Sequence, residues 1–497
     1  MLGLDTRLTD ELNYYVKEIE KVARQSGLEP CTTIFELVDY KQLNEIAAYM
    51  GFPTRYPHWR FGMEYEKLAK SYTYGLAIIY EMVINNDPCY AYLLRANDLV
   101  YQKTVIAHVF AHCDFFMKNF WFSKSNRKML NNMANHGTVV RSLINELGHD
   151  QVEAFIDCCL SVENLIDIHA PFKEKKKFDR EHEDIINTDR LKLQAKSYMD
   201  AYINPQDYLN AQRKILEAKQ TQDSVLNAET DEQDVLNFLL LHAPLKNWEW
   251  QILNIIRSEA YYFAPQAQTK ILNEGWATYW HSKIMTDLYP LSAAEIVDYC
   301  DHYAGIVASS PTQINPYKIG IELLRYCEQR WDKGKFGISY LECEDFSERQ
   351  NWDKQALKGR DKLFEVRSIH NDVTFIDAFL DEDFCHQHKM FLYDYDPESK
   401  AYKINTRDFK AIKRSLLDQL TNIGNPVIVV KDGNYNNRQE LLLQHKFTGQ
   451  ALHHGYTLET LQNLYRMWKR PVLIETADDD GRKRIRYDGS SHRVEKL

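Results

Sequence analysis

Two short stretches of the sequence concentrate side chains that ligate metals. HVFAH places His108 and His112 four residues apart, and NEGWATYWH places Glu274 and His281 seven residues apart. Residues at these spacings share one face of a helix, since each residue turns by about 100°. Two imidazoles four residues apart can bind one ion, and a carboxylate from another helix completes a common ligand set. The pattern predicts a metal site formed by His108, His112 and Glu274.

The catalytic groups of such a site are harder to assign, because the position of the usual base is apolar. In H-E-x-x-H peptidases the glutamate is the general base, but Val109 occupies that position here. Glu259 and Glu81 are the candidate replacements, as base or as additional ligand. Asp114 fits less well, because a residue two positions after the second histidine points away from it on a helix. His281 would orient a ligand or donate a proton.

Several ions suit these ligands. Zinc is the first expectation, because two histidines and a distant glutamate are the ligands of gluzincin-type peptidases, and iron or manganese also accept imidazole and carboxylate groups. A purely structural interpretation stays open as well. In that case the histidines are buried and bonded to backbone or tyrosine hydroxyls, and Glu274 pairs with Arg257 or caps a neighbouring helix.

Composition limits the class of protein. The 497 residues carry a formal net charge of −10, which argues against a nucleic-acid partner. GRKRIR at 481–486, a dense basic stretch, follows ADDD and is interpreted as one arm of a charged hairpin. The nine cysteines include no CxxC pair, so neither a disulfide framework nor a zinc ribbon is expected. The sequence lacks a signal peptide pattern and any run of ~18 apolar residues, so we expect a cytoplasmic protein without a membrane span.

Hydrophobic periodicity divides the chain into four parts. Residues 1–170 form the N-terminal helical part of a main domain, and 236–385 form its second helical part with the EGWATYWH element. Between them, 171–235 is a polar, charged connecting segment. Residues 386–497 alternate short strands with helices. The expected fold is a mainly α-helical large domain, compatible with a gluzincin-like helical arrangement, plus a small C-terminal α/β or α+β domain.

Three local patterns carry further expectations. The Gly, Pro and aromatic residues of 51–62 predict a loop, and the apolar spacing after it predicts a helix that runs to NNDPCY. Asn315 and Pro316 predict a helix N-terminus. EVRSIHNDVTFIDAFL, at 365–380, could be a catalytic loop or could dock one domain on the other.

Several long motifs together resemble the stage V sporulation protein R (SpoVR) family, from about residue 10 to 480. They are FGMEYEK, YEMVINNDPCYAYL, HVFAHCDFF, CLSVENLIDIH, YYFAPQAQTKILNEGWATYWH, NPYKIG, EVRSIHNDVTFIDAFL and RPVLIET. The family pattern includes the histidines matched by His108 and His112 and the element matched by Glu274 and His281. The resemblance implies that these four positions belong to a functional site.

The resemblance also implies a biological setting. The family is named for spore cortex formation, a peptidoglycan layer, and it occurs in non-sporulating bacteria beside a PrkA-like serine kinase and its partner protein, in stationary-phase stress. We therefore expect a cytoplasmic metal-dependent hydrolase of an amide or peptide bond. A non-enzymatic regulator or scaffold of the kinase system is the first alternative, and a non-haem iron redox enzyme is the second. Homo-oligomerisation is left open.

Overall fold

The computed structural model describes residues 6–73, 81–173, 232–308, 314–478 and 480–497. Of the polar segment 171–235, residues 174–231 therefore lie outside the described residues. Two compact units account for the chain. The first comprises Met1–Ser142 and Tyr262–Gly424, and the second comprises Leu143–Tyr261 and Asn425–Leu497.

Helices dominate the described residues before the C-terminal part. They are numbered here in chain order: α1 (Asp10–Gln25), α2 (Tyr40–Ala48), α3 (Trp59–Thr73), α4 (Leu99–Lys118), α5 (Met129–Leu147), α6 (His149–Leu160), α7 (Val235–His242), α8 (Asn247–Gln268), α9 (Lys270–Lys283), α10 (Ala293–Ile306), α11 (Pro316–Asp332), α12 (Ile338–Leu341), α13 (Phe346–Gln350), α14 (Gly359–Ile369), α15 (Asp372–Phe379), α16 (Glu382–Gln387), α17 (Phe409–Leu420) and α18 (His454–Trp468). None of these helices combines the length and apolarity that crossing a bilayer requires.

The strands form three small sheets. They are β1 (Thr33–Val38), β2 (Glu81–Ile84), β3 (Cys89–Leu94), β4 (Leu392–Asp396), β5 (Ala401–Thr406), β6 (Ile428–Tyr435), β7 (Glu440–His445), β8 (Val472–Asp478), β9 (Gly481–Tyr487) and β10 (His492–Lys496). The first sheet has the order β1-β3-β2, with β1 and β3 parallel. The pair β4-β5 is antiparallel.

The helix α4 is the central element of the first unit. Apolar residues occur on every side of it, and nearly all of its residues from Val100 to Phe116 are buried. A helix with this composition belongs in a core, since no face of it suits water. It packs against α1, α9 and the β1-β3-β2 sheet. Any polar side chain on α4 must therefore find its partners inside the protein.

The C-terminal strands form the five-stranded sheet β10-β9-β8-β7-β6. Neighbouring strands are antiparallel except β7 and β8, which are parallel and are connected through α18. The basic stretch at 481–486 lies on β9, antiparallel to β8, where Arg484 Nη2 contacts Glu475 Oε1 at 2.6 Å. The predicted charged hairpin is confirmed. A mainly helical large region with a small C-terminal α/β region is the predicted fold class, and it is confirmed.

Two local expectations were wrong. The helix α3 begins at Trp59, inside the stretch 51–62 predicted as a loop, because both prolines of that stretch precede it. The helix predicted to continue to NNDPCY is described only to Thr73, and Glu81–Ile84 is the strand β2, paired antiparallel with β3. A short apolar run can form a helix or a strand, and here pairing with β3 favours the strand.

Candidate metal centre

Both histidines of the predicted site lie in the middle of α4. His108 and His112 are buried, and their rings are 4.6 Å apart between centroids. Both face α9, as expected for residues one helical turn apart. Val109, which directly follows His108, is fully buried in the core. The rigid, packed helix therefore holds the two imidazoles side by side.

The helix α9 brings Glu274 to the same place. It crosses α11 at two glycines, Gly275 and Gly320. A Cβ atom on Gly275 would lie 2.5 Å from the backbone of Gly320, and one on Gly320 would lie 2.3 Å from the carbonyl oxygen of Ile271. The two backbones are in direct contact, which side chains larger than hydrogen would prevent. The glycine that follows Glu274 thus sets the depth at which α9 is seated.

The three predicted ligands converge. One potential ligand atom from each of His108, His112 and Glu274 lies within 4.8 Å of the other two. Oε2 of Glu274 is 3.6 Å from Nε2 of His108 and 3.4 Å from Nε2 of His112. The other carboxylate oxygen, Oε1, is 3.6 Å from Nζ of Lys270 one turn earlier on α9. Lys270 therefore takes one carboxylate oxygen, and the other faces both imidazoles.

The second nitrogen of each imidazole is engaged by a buried side chain of α9. Nδ1 of His108 lies 3.0 Å from Nδ1 of His281, and Nδ1 of His112 lies 2.9 Å from Oδ1 of Asn273. The amide oxygen can only accept, so Nδ1 of His112 is the donor in that contact. Contacts of this kind fix the tautomer and the ring orientation of a ligating histidine. His281 is thus placed to orient His108.

The charges of the cluster are shifted by its surroundings. Burial alone would raise the pKa of Glu274, but the adjacent imidazoles of His108 and His112 outweigh it and hold that pKa well below its usual value. Burial lowers the pKa of His281 well below its usual value, and the nearby charge of His108 adds to the effect. The cluster accordingly contains an ionised carboxylate beside a neutral His281.

Comparison with known proteins agrees with the motifs. The family model described as SpoVR like protein matches residues 6–425, and the one described as SpoVR-like C-terminal domain matches residues 426–479. The chain belongs to the SpoVR-like family. It is similar to "Uncharacterized protein YcgB" of Escherichia coli (strain K12), with 26% identity over 503 residues, 95% of this chain and 93% of that protein. No solved structure matched the chain. The predicted resemblance is confirmed.

In this SpoVR-like chain, the motif EVRSIHNDV holds the site helices in place. Arg367 on α14 donates to both carboxylate oxygens of Asp114 on α4, at 2.9 and 2.8 Å. The backbone N–H of Glu29 and the indole of Trp276 donate to the same carboxylate. Asp114 is therefore a fully buried structural partner, and it is placed to fix α4 rather than to act as a base. Burial raises its pKa despite the guanidinium.

The same motif also caps α9. The carboxylate of Asp372 accepts from the backbone N–H groups of Ile271 and Leu272, at 2.8 and 2.9 Å. These are orphan donors of the first helical turn, and a carboxylate there also complements the helix dipole. All these contacts lie within the first unit, so in them the motif joins helices of one unit. The predicted cap at Asn315 of α11 is confirmed, since its Oδ1 accepts from the N–H of Tyr317 at 2.9 Å.

The remaining sequence candidates lie on other elements. Among the described residues, the group of convergent ligand atoms at this site contains His108, His112 and Glu274 alone. Glu81 is the first residue of β2, and Glu259 is buried on α8 in the part that belongs to the second unit. Their roles as base or additional ligand stay predictions. Glu274 does not pair with Arg257, which binds Asp234 instead at 2.7 Å.

Two residues of the site were missed from the sequence. Asn273 directly precedes Glu274, and Tyr317 of NPYKIG lies with its ring nearly parallel to that of His108, 6.4 Å between centroids. Asn273 could have been found, because a polar residue beside a ligand on an otherwise apolar helix needs a buried partner. Tyr317 could not, because its approach depends on the crossing of α9 and α11.

Proposed function

We propose that this SpoVR-like protein binds a divalent metal ion through His108, His112 and Glu274 and uses it to hydrolyse an amide or peptide bond. The observation that carries the proposal is the convergence of two Nε2 atoms and one carboxylate oxygen within 4.8 Å. Zinc is the first ion to test, and iron and manganese suit the same donors.

The residues present fit such an ion. Oε2 of Glu274 is buried and faces the Nε2 atoms of His108 and His112, at 3.6 and 3.4 Å, and its carboxyl group is held ionised. A buried anion is costly unless positive charge neutralises it. The Nδ1 contacts of His108 and His112 direct the opposite nitrogens toward that anion. A cation between the three groups would satisfy all of them.

The chemistry follows from what the ion and the chain each supply. A bound divalent ion polarises a substrate carbonyl and lowers the pKa of coordinated water towards ~7. Three protein ligands are the number typical of catalytic zinc sites, which keep a fourth position for water or substrate. Val109 replaces the glutamate base of the peptidase pattern, so Glu259 or Glu81 would be the base or an additional ligand. His281 acts by orienting His108, because its Nδ1 faces that ligand.

The substrate class and setting come from the family. A cytoplasmic hydrolase with a link to the spore cortex would act on an amide bond of a wall precursor, and stationary-phase stress is the setting in bacteria that do not sporulate. A PrkA-like serine kinase and its associated protein are the proposed partners. The valine at the base position supports the alternative hypothesis of a regulator, in which the chain serves that kinase system without catalysis.

A redox role is the second candidate that a specific observation favours. Two histidines and one carboxylate, with no second carboxylate in the described cluster, form the ligand set of non-haem iron enzymes. An iron site would give characteristic optical or Mössbauer signals, whereas zinc would give none. Metal identity therefore separates hydrolysis from redox chemistry directly.

The test is the metal content of protein purified with and without oxygen. We expect His112→Ala and Glu274→Gln to lose one metal equivalent per chain relative to the wild type, and amide hydrolysis to be lost with it. His386→Ala is the matched control, since this histidine is exposed on α16. Unchanged metal content in correctly folded His112→Ala protein would refute the site. If metal is bound but wall-precursor amides are not hydrolysed, the metal site would stand and the hydrolase proposal would be refuted.

A further inference from the structure

Three cysteines of the first unit meet on the side of α4 that faces the small sheet. Cys31 precedes β1, Cys89 is the first residue of β3, and Cys113 lies on α4. One sulfur from each lies within 4.8 Å of the other two, and the sulfurs of Cys31 and Cys89 are 2.9 Å apart. These residues are far apart in the sequence, with no CxxC spacing to indicate them.

The fold explains why they meet. β1 and β3 are adjacent parallel strands with Thr33 opposite Cys89, so the residues at their beginnings are neighbours. The hydroxyl of Thr33 lies between the carbonyl oxygen of Cys31, at 3.0 Å, and the sulfur of Cys113, at 3.2 Å, which connects the sheet to α4. Cys113 follows His112 directly, and a turn of about 100° directs the two side chains to different neighbours. One helix thus presents imidazoles to α9 and a thiol to the sheet.

The surroundings of the cluster suit bound charge. Cys89 and Cys113 are fully buried, whereas Cys31 is partly exposed and gives a route from solvent. The Arg127 guanidinium is near enough to the Cys31 thiol to favour its charged form. Arg127 is itself held by the carbonyl oxygen of Asn86, at 3.1 Å. A fixed cation therefore stands beside the sulfurs.

We propose that Cys31, Cys89 and Cys113 form a second metal site, for a thiophilic cation of the zinc class. Three thiolates are a well-suited donor set for such an ion, at a metal–sulfur distance of about 2.3 Å, with a fourth position for water or another ligand. Three thiolates and one divalent ion carry one net negative charge, which Arg127 offsets. The Thr33 hydroxyl would serve as an outer hydrogen-bond donor to a ligand sulfur.

The alternative is a purely structural role, in which the three cysteines pack as small apolar side chains. Cys327 on α11 is an example of that use, because it is buried and belongs to no group of ligand atoms among the described residues. The cluster differs from it in two ways. Its sulfurs converge from three separate segments of the chain, and Arg127 acts on Cys31 while the Thr33 hydroxyl contacts Cys113. The site is independent of the histidine cluster, so either can fail alone.

Cobalt is the probe that distinguishes the two sites. Reduced, metal-free full-length protein is titrated with Co²⁺ without oxygen, in the wild type and in the double variant His108→Ala/His112→Ala. We expect a thiolate-to-cobalt charge-transfer band in the near ultraviolet in both proteins, saturating at one equivalent and bleached by Zn²⁺. Cys31→Ser should weaken this binding at least about 10-fold, since even outer-shell losses cost that much. Cys327→Ser should leave it unchanged.

A second measurement covers the case of a variant that does not fold. Zn²⁺ should protect Cys31 of the wild type from iodoacetamide, read by peptide mass spectrometry, while the exposed Cys300 reacts equally with and without the ion. Absence of the charge-transfer band in the folded double variant, or an unchanged Co²⁺ affinity in folded Cys31→Ser protein, would overturn the proposal. The proposal would also be overturned if Cys31 and Cys89 form a disulfide and the reduced protein takes up no Co²⁺.

Discussion

Replacing Gly275 by alanine tests how the candidate metal centre is positioned. Helix propensity alone predicts that the variant is more stable by about 1 kcal/mol, because glycine in a helix interior costs that much relative to alanine. The structure predicts the opposite. The added Cβ would lie 2.5 Å from the Cα and carbonyl carbon of Gly320, whereas carbon atoms in contact are normally about 3.5–4.0 Å apart.

The magnitude follows from these distances. The helices α9 and α11 would have to separate by roughly 1 Å to restore normal contact. Neither side can yield by a rotamer change, since both are backbone, so the cost lies near the upper end of the ~1–3 kcal/mol typical of overpacking. Subtracting the propensity gain of about 1 kcal/mol leaves a net loss of about 2 kcal/mol.

Gly62 is the matched control. It lies on α3, is exposed, and has nothing within 4 Å of its Cβ position. Gly62→Ala should therefore gain about 0.5–1 kcal/mol. Urea unfolding of both variants measures the difference, expected to be about 3 kcal/mol from the same principles. Equal stability of the two variants would refute the close helix crossing.

The same variant bears on the metal proposal. A displacement of about 1 Å exceeds the ~0.5 Å tolerance of a preorganised site, and Glu274 is the neighbour of the substituted residue. Metal affinity at the histidine cluster should fall at least about 10-fold in Gly275→Ala and stay unchanged in Gly62→Ala. Isothermal titration with Zn²⁺ in the Cys31→Ser background isolates that site.

Two further substitutions test the frame around the site. Arg367→Ala should destabilise the protein by about 3–5 kcal/mol, because it leaves the buried carboxylate of Asp114 without its cation. The control Arg414→Ala, in an exposed ion pair, should cost at most about 1 kcal/mol. Similar losses of stability in urea unfolding of the two variants would contradict a structural role for the Arg367–Asp114 pair. Burial raises the pKa of Asp372 from 3.8 to about 7, so the native state binds the proton more tightly than the unfolded state. The stability that this proton contributes should therefore fall as the pH rises from about 4 through 7, by up to about 4 kcal/mol. Asp372→Asn should lack that fall, which urea unfolding at pH 5 and pH 8 measures; parallel pH profiles of the two proteins would refute it.

The parts of the site that sequence could predict are those set by spacing within one helix. HVFAH places both imidazoles on one face of α4. Apolar residues on every side of that helix predict that it is buried. Glu274 was found because its helix carries an unusual cluster of polar and aromatic residues. The seating of α9 was not predictable, since it depends on the contact between Gly275 and Gly320, 45 positions apart in the sequence.

The parts that sequence could not predict depend on long-range pairing. The cysteine cluster needs the parallel register of β1 and β3 and the packing of α4 on both. No local pattern contains that information, so nine scattered cysteines gave no indication of a site. The strand at Glu81 was misjudged for a related reason, because an apolar run of four residues takes its structure from the strand beside it.

The motif at 365–380 shows how a long peculiar sequence can serve a site that it does not form. Its arginine holds the carboxylate of Asp114, two residues after His112 on α4, and its aspartate caps the helix of Glu274. A metal centre needs its ligands held within about 0.5 Å, and two helices brought together by apolar packing alone can slide by more than that. Directional hydrogen bonds from one short segment to both helices remove that freedom. The segment is therefore best understood as the part that sets the distance between the histidines and the glutamate, and a substitution there should alter metal affinity without contacting the ion.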